Sequence, residues 1–175
     1  MALLTLQAHP INRLALIPDG AAGIRRTLDA MIRAVRGTDG DINFLDLARS
    51  IVIAVPGKDY YGEIVAVQRW VKANVRYTRD PAGIETLHTP QALLAQPGGA
   101  QGDCDDQATC VAALLRQLGC DTRFVAVGTQ APGVFDHVFA EVKCGADWLS
   151  VETTEPVEVG WQPQGLTARM IRHVY

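Results

Sequence analysis

Gly102-Asp103-Cys104-Asp105-Asp106 leads directly into Gln107-Ala108-Thr109-Cys110-Val111-Ala112-Ala113-Leu114-Leu115-Arg116-Gln117-Leu118. Val111, Leu114, Leu115 and Leu118 recur at helical spacing, and Gly119 suits the left-handed residue that ends a helix. The run predicts a central helix from Cys104 or Asp105 to Leu118. Two turns before Val111 the same stripe reaches Cys104, so the thiol faces inward at the helix tip. There the unpaired backbone N–H groups and the positive end of the helix dipole favour thiolate over thiol. The thiolate is the nucleophile. Asp103, Asp105 and Asp106 suit a helix N-terminus but oppose the thiolate, because nearby negative charge raises a cysteine pKa. A cationic partner has to offset them.

That partner is sought in the strands that follow. Thr122 to Val127, Phe135 to Lys143 and Trp148 to Thr153 are rich in β-branched and aromatic residues. Cys144-Gly145-Ala146-Asp147 is a turn signal, so the last two strands should form a hairpin. With an even loop centred on Gly145-Ala146, Phe139 faces Glu152, and His137 lies one diagonal step away on the same face. Diagonal neighbours are roughly 7–8 Å apart at the backbone, within reach of a glutamate side chain. An odd loop without a bulge would separate the two onto opposite faces. The candidate catalytic set is therefore Cys104 as nucleophile, His137 as base and compensating cation, and Glu152 as the group that orients the ring. The backbone N–H of Cys104 is an expected oxyanion donor, with Gln101 and Tyr77 as candidates for a second donor or a substrate contact.

The other cysteines, Cys110, Cys120 and Cys144, read as small apolar packers, and His9, His88 and His173 as structural histidines. No CxxC pair is present and the histidines are scattered, so neither a zinc site nor another cofactor is expected. Asp39 and Asp41 lack the remaining positions of a calcium loop and read as a turn.

Upstream, Leu3 to Ile17 reads as an extended arm or edge strand broken by Pro10. Helices are expected over Gly23 to Val35, Asn43 to Val55 and Tyr60 to Asn74, with Trp70 in the core. Val75 to Gly99 is loop-rich, with a short helix at Pro90 to Ala95 capped by Thr89. Because this stretch feeds the nucleophile, Tyr77, Arg79, Asp80 and His88 are candidates for substrate contacts, a solvated loop role being the plain alternative. Glu155 to Tyr175 reads as a wrapping segment closed by a short helix at Thr167 to Arg172.

With 175 residues, 48% of them hydrophobic, the chain can bury a core without disulfide staples. The net charge of −3 gives no electrostatic reason to expect nucleic acid or an acidic membrane as partner. The first residues have neither a basic start nor a long apolar centre, so a secretory signal is not expected and cytoplasmic, reduced thiols are.

Three segments together resemble the transglutaminase-like superfamily, the papain-related Cys-His-Asp fold, in its bacterial and phage-encoded type. They are Gly102-Asp103-Cys104-Asp105-Asp106, Asp136-His137-Val138-Phe139 and Trp148-Leu149-Ser150-Val151-Glu152-Thr153-Thr154; the lead-in Val75-Arg76-Tyr77-Thr78-Arg79-Asp80-Pro81 adds to them. The resemblance implies an α+β fold, with a nucleophile-bearing central helix packed on an antiparallel sheet. It divides the chain into an N-terminal arm and helical extension (1–58), a catalytic core (59–163) and a C-terminal tail (164–175). The family's nucleophile falls on Cys104 and its histidine on His137, while its usual aspartate is Glu152 here. The implied function is a thiol-dependent amide-bond hydrolase, a cysteine protease or peptidase, acting on a protein or peptide through an acyl-enzyme. The alternative is a non-catalytic structural or binding component that retains the fold, for example a subunit of a phage particle.

Overall fold

A computed structural model describes residues 12–14, 20–80 and 85–175. The antiparallel sheet and the central helix are where the sequence places them. Helix α1 (Ala21–Arg36), α2 (Ile42–Val52) and α3 (Tyr60–Asn74) come first. Their starts and stops follow local chemistry. Asp41 caps α2 by accepting from Asn43 N and Phe44 N, and Asp59 caps α3 by accepting from Gly62 N. Asp39 pairs with Arg116 at 2.8 Å, so the 38–41 cluster is a turn that ties α1 to the central helix.

Of the expected arm, only β1 (Asn12–Leu14) is described. It pairs antiparallel with β3 (Glu85–Leu87), and the remainder of Leu3 to Ile17 lies outside the described residues, as does His9. Between them in sequence, β2 (Val75–Tyr77) continues α3. Helix α4 (Pro90–Leu94) starts as expected at Thr89, whose hydroxyl accepts from Ala92 N. Strand β4 (Ala100–Gly102) then pairs in parallel with β2 and leads into α5 (Cys104–Gln117).

Four strands form the main sheet: β5 (Thr122–Gly128), β6 (His137–Cys144), β7 (Asp147–Val151) and β8 (Ala168–Val174), in the order β7-β6-β5-β8 and all antiparallel. One face meets the helices. Phe124, Ala126, Val138, Ala140, Val142, Val151 and Val174 pack there with Leu28, Met31, Phe44, Ile64, Val67, Leu114 and Leu115. The other face carries a smaller cluster, Val125, Val127 and Phe139, covered by Leu166. Beside it an ion pair joins Arg123 to Glu141 at 2.5 Å, and Arg123 lies 4.1 Å over the Trp148 ring.

Two expectations change. Every residue of α5 from Asp105 to Leu115 is buried, whereas the apolar stripe alone predicted one buried face. The helix is enclosed by α1, α2, α3 and the sheet, and its small residues Ala108, Ala112 and Ala113 let those neighbours approach. Secondly, Thr167 to Arg172 is not a helix; Ala168 to Arg172 belong to β8. Met170 and Val174 alternate into the core, and Arg172 on the same face pairs with Asp29 of α1 at 2.6 Å. Arg169 on the opposite face reaches Glu141 at 3.2 Å. The exposed edge of β5 offers a full ladder of backbone partners, which outweighs the helical preference of Ala, Arg and Met. Trp70, expected in the core, is half-buried against it.

Candidate active site

The segment before the nucleophile is pinned at several points. Tyr77 lies opposite Gly102 in the β2–β4 pair, and Thr78 N donates to Gly102 O at 2.9 Å. Gln96 and Gln101 exchange two hydrogen bonds, side-chain amide to backbone, at 2.9 and 3.0 Å. Asp103 then caps α5 by accepting from Asp105 N, and Cys104 is the first helical residue, half-buried against the main core. Its backbone N–H lies at the positive end of the helix, as the oxyanion role requires.

Gly102 has a steric reason. A Cβ there would lie 2.5 Å from Cβ of Asp106, whose side chain folds back over the Gly102 backbone. Gly102→Ala should therefore lower stability by about 1–3 kcal/mol, read from urea unfolding. A change under about 0.5 kcal/mol would show that Asp106 moves aside freely.

On the sheet side, β6 and β7 meet in the expected hairpin. Cys144 pairs with Asp147 and Ala140 with Val151, around the two-residue loop Gly145-Ala146. Gly145 has φ 62°, the left-handed value that a tight hairpin needs at its first loop position. This register brings Glu152 beside His137: Nε2 of the ring lies 2.6 Å from Glu152 Oε2. The other carboxylate oxygen accepts from Thr154 N at 2.6 Å, Thr154 Oγ1 at 2.8 Å and Glu155 N at 3.3 Å. The buried Gln68 of α3 donates to the Glu152 backbone carbonyl at 2.8 Å, fixing the main chain as well.

Glu152 is 1% exposed. Burial pushes its carboxyl up, but the His137 hydrogen bond and charge, with the Thr154 donors, hold it below the ordinary 4.5. A depressed carboxyl contributes stability that is present above its ordinary pKa and lost as pH falls through the depressed value. The stability gap between wild type and Glu152→Gln should thus narrow steadily below pH 4.5, as urea midpoints across the acid range would show. A gap independent of pH would mean Glu152 is not held as an anion.

A turn at 118–121 joins α5 to β5, and α5 packs against β5 and β6. At about 1.5 Å per residue α5 spans roughly 20 Å, and β5 at about 3.3 Å per residue spans nearly the same. Val127, near the end of β5, pairs with His137. His137 is the first residue of β6, at the rim of the sheet, its side chain 22% exposed.

The remaining candidates fall nearby in different roles. Tyr77 is exposed on β2, and the Gln101 side-chain oxygen accepts from Arg76 at 2.6 Å. Arg79, Asp80, His88 and Gln101 line a cavity of about 470 Å³ with Gly102 and Asp106. Asp80 accepts from Thr86 N, so it holds its own loop. Sequence reasoning missed the ion pair of His88 with Asp106, at 2.9 Å. The only hint was a histidine placed ahead of an acid-rich helix start. Asp103, Asp105 and Asp106 bring carboxylate oxygens within 4.8 Å of one another. However, Asp103 serves the helix cap and both Asp106 oxygens serve His88, so the cluster is built as a helix tip. Cys110 is fully buried and pushed up to about 12, and Cys120 to about 11, in both cases mainly by burial.

The sequence profile of the transglutaminase-like superfamily matches residues 47–153, more than half of the chain. The match begins inside α2 and ends one residue past Glu152. No curated protein matches the chain in sequence. Among solved structures, the chain is similar to a candidate cysteine protease from Cytophaga hutchinsonii, at 19% identity and a TM-score of 0.49 over 73% of this chain and 45% of that one. It is also similar to a candidate protease from Parabacteroides distasonis, at 11% identity and a TM-score of 0.53 over 74% of this chain and 26% of that one. The chain spans less than half the length of either, and at such identities the likeness concerns the fold. On the profile match, with the α+β architecture, this chain belongs to the transglutaminase-like superfamily.

Proposed function

We propose that the chain is a thiol-dependent amide-bond hydrolase, a cysteine protease or peptidase, working through an acyl-enzyme on Cys104. The observation that carries this reading is the 2.6 Å His137–Glu152 pair on a sheet that packs against α5, the helix that begins at Cys104. Glu152 accepts the hydrogen bond from Nε2–H, which leaves Nδ1 as the basic nitrogen of a neutral ring. His137 accepts the Cys104 proton there, and the resulting imidazolium stabilises the thiolate. The sulfur attacks the substrate carbonyl, and the oxyanion forms against the Cys104 N–H. His137 returns its proton to the leaving amine as the C–N bond breaks, giving a thioester. Water, deprotonated by His137, then releases the acid and regenerates the thiol.

The α5 N-terminus supplies the oxyanion site, and the buried Glu152 network keeps the ring in one orientation. The similar structure from Parabacteroides distasonis bears the name of a candidate protease, which supports hydrolysis over crosslinking. Protein or peptide substrates and a cytoplasmic setting remain part of this proposal.

The test is acid-quench mass spectrometry of the protein incubated with a pool of peptide esters and amides. A mass adduct on Cys104 that decays in water and disappears in His137→Ala is the expected result. Adducts shared among Cys104, Cys120 and Cys144, or indifferent to His137, would overturn it. Added primary amine should leave the released acid as the main product; a predominant amide product would assign transamidation instead.

A further inference from the structure

The molecule holds a second histidine–carboxylate pair that the mechanism above does not use. His88 gives Asp106 two hydrogen bonds, from backbone N to Oδ1 at 2.7 Å and from ring Nδ1 to Oδ2 at 2.9 Å. Asp106 is 1% exposed and lies in the first turn of α5, two residues past Cys104. Gly102 exists to admit this side chain, since a Cβ would strike it. An uncompensated carboxylate within the same first helical turn would oppose ionisation of the thiol.

We propose that His88 is a positioning residue for the nucleophile: its two-point grip neutralises the Asp106 carboxylate beside Cys104 and leaves the thiolate to the helix terminus and His137. The inference rests on Cys104 being the nucleophile, and it names the cation that the acid-rich tip requires. The hydrogen bond to Asp106 raises the His88 pKa, and burial raises that of Asp106. The pair is net neutral whichever partner holds the proton. Asp80 and Asp103 also favour the charged ring, and Arg79 lines the same cavity. Asp103 and Asp105 flank Cys104 on α5, and His137 with Glu152 sit at the sheet end. Among these groups, Asp106 is the buried anion that His88 holds directly.

The variant to make is His88→Asn. Its amide can donate to the same oxygen but carries no charge, and the His88 side chain is 17% exposed on the cavity wall, where a polar replacement is tolerated. Iodoacetamide alkylation of Cys104 against pH should show its apparent pKa rising by about one unit, a roughly tenfold slower rate at low pH. Adding Asp106→Asn should return the profile to wild type, because the offending charge is gone. An unchanged Cys104 profile in His88→Asn, with only a lowered melting temperature, would overturn the proposal and leave His88 a structural residue. If His88→Asn does not fold, Asp106→Asn alone decides: a Cys104 pKa at or below wild type supports the proposal, and a rise overturns it. His137→Ala serves as the separate control. A shift in His137→Ala but none in His88→Asn sinks this inference alone, and the reverse sinks the catalytic-base reading alone.

Discussion

Cys104→Ala removes amide-bond turnover by about four orders of magnitude or more while leaving the fold intact. The two halves of that expectation have separate grounds. Turnover falls because the acyl-enzyme has no atom on which to form, and what remains is the contribution of binding and the oxyanion site. The fold persists because Cys104 is half-buried at a helix start whose cap is Asp103, not the cysteine itself. Cys110→Ala is the instructive contrast. Cys110 is fully enclosed in α5, so its loss should cost about 1 kcal/mol of stability with turnover retained. Steady-state kinetics and urea unfolding of the two variants, measured side by side, check both halves. Full activity in Cys104→Ala would end the covalent mechanism.

Glu152→Gln lowers kcat about 10²–10⁴-fold, because the amide no longer favours the imidazolium and can select the wrong ring tautomer. Glu152→Asp is the sharper experiment. Aspartate is the usual residue of the superfamily, yet here it should lower kcat as well. The carboxylate is held at both ends, by His137 on one oxygen and by Thr154 and Glu155 on the other. A side chain shorter by one methylene cannot span that distance without moving the backbone, which Gln68 holds in place. A Glu152→Asp variant faster than wild type would show that the extra methylene is a defect of this site.

Much of the candidate site was legible because it depends on local rules. Asp103 and Cys104 mark a helix start by composition, and Gly145-Ala146 sets a hairpin register that delivers His137 to Glu152 through parity alone. The capped starts of α2 and α4 were legible for the same reason. What escaped was non-local. The arginines and alanine of 167–172 read as helix because nothing in that segment reveals the open edge of β5. The burial of Gln107, Thr109 and Ala113 around the whole of α5 reflects how many neighbours enclose it, which periodicity does not encode. His88 was read as structural or as a loop contact, since its partner is 18 residues away on another element. The phage-particle reading rests on the resemblance together with the apolar N-terminal arm and the Pro/Gly-rich tail, and the comparisons with known proteins give it no support.

The central claim is an activated Cys104, and the pH dependence of alkylation tests it most directly. Each cysteine of the folded protein is followed by peptide mass spectrometry, with Cys110 and Cys120 as internal references held near 12 and 11 by burial. An activated site gives a Cys104 that reacts with an apparent pKa well below the free value of about 8.5, moving upward in His137→Ala. A Cys104 as inert as Cys110 would contradict the account and leave the chain a non-catalytic member of its superfamily.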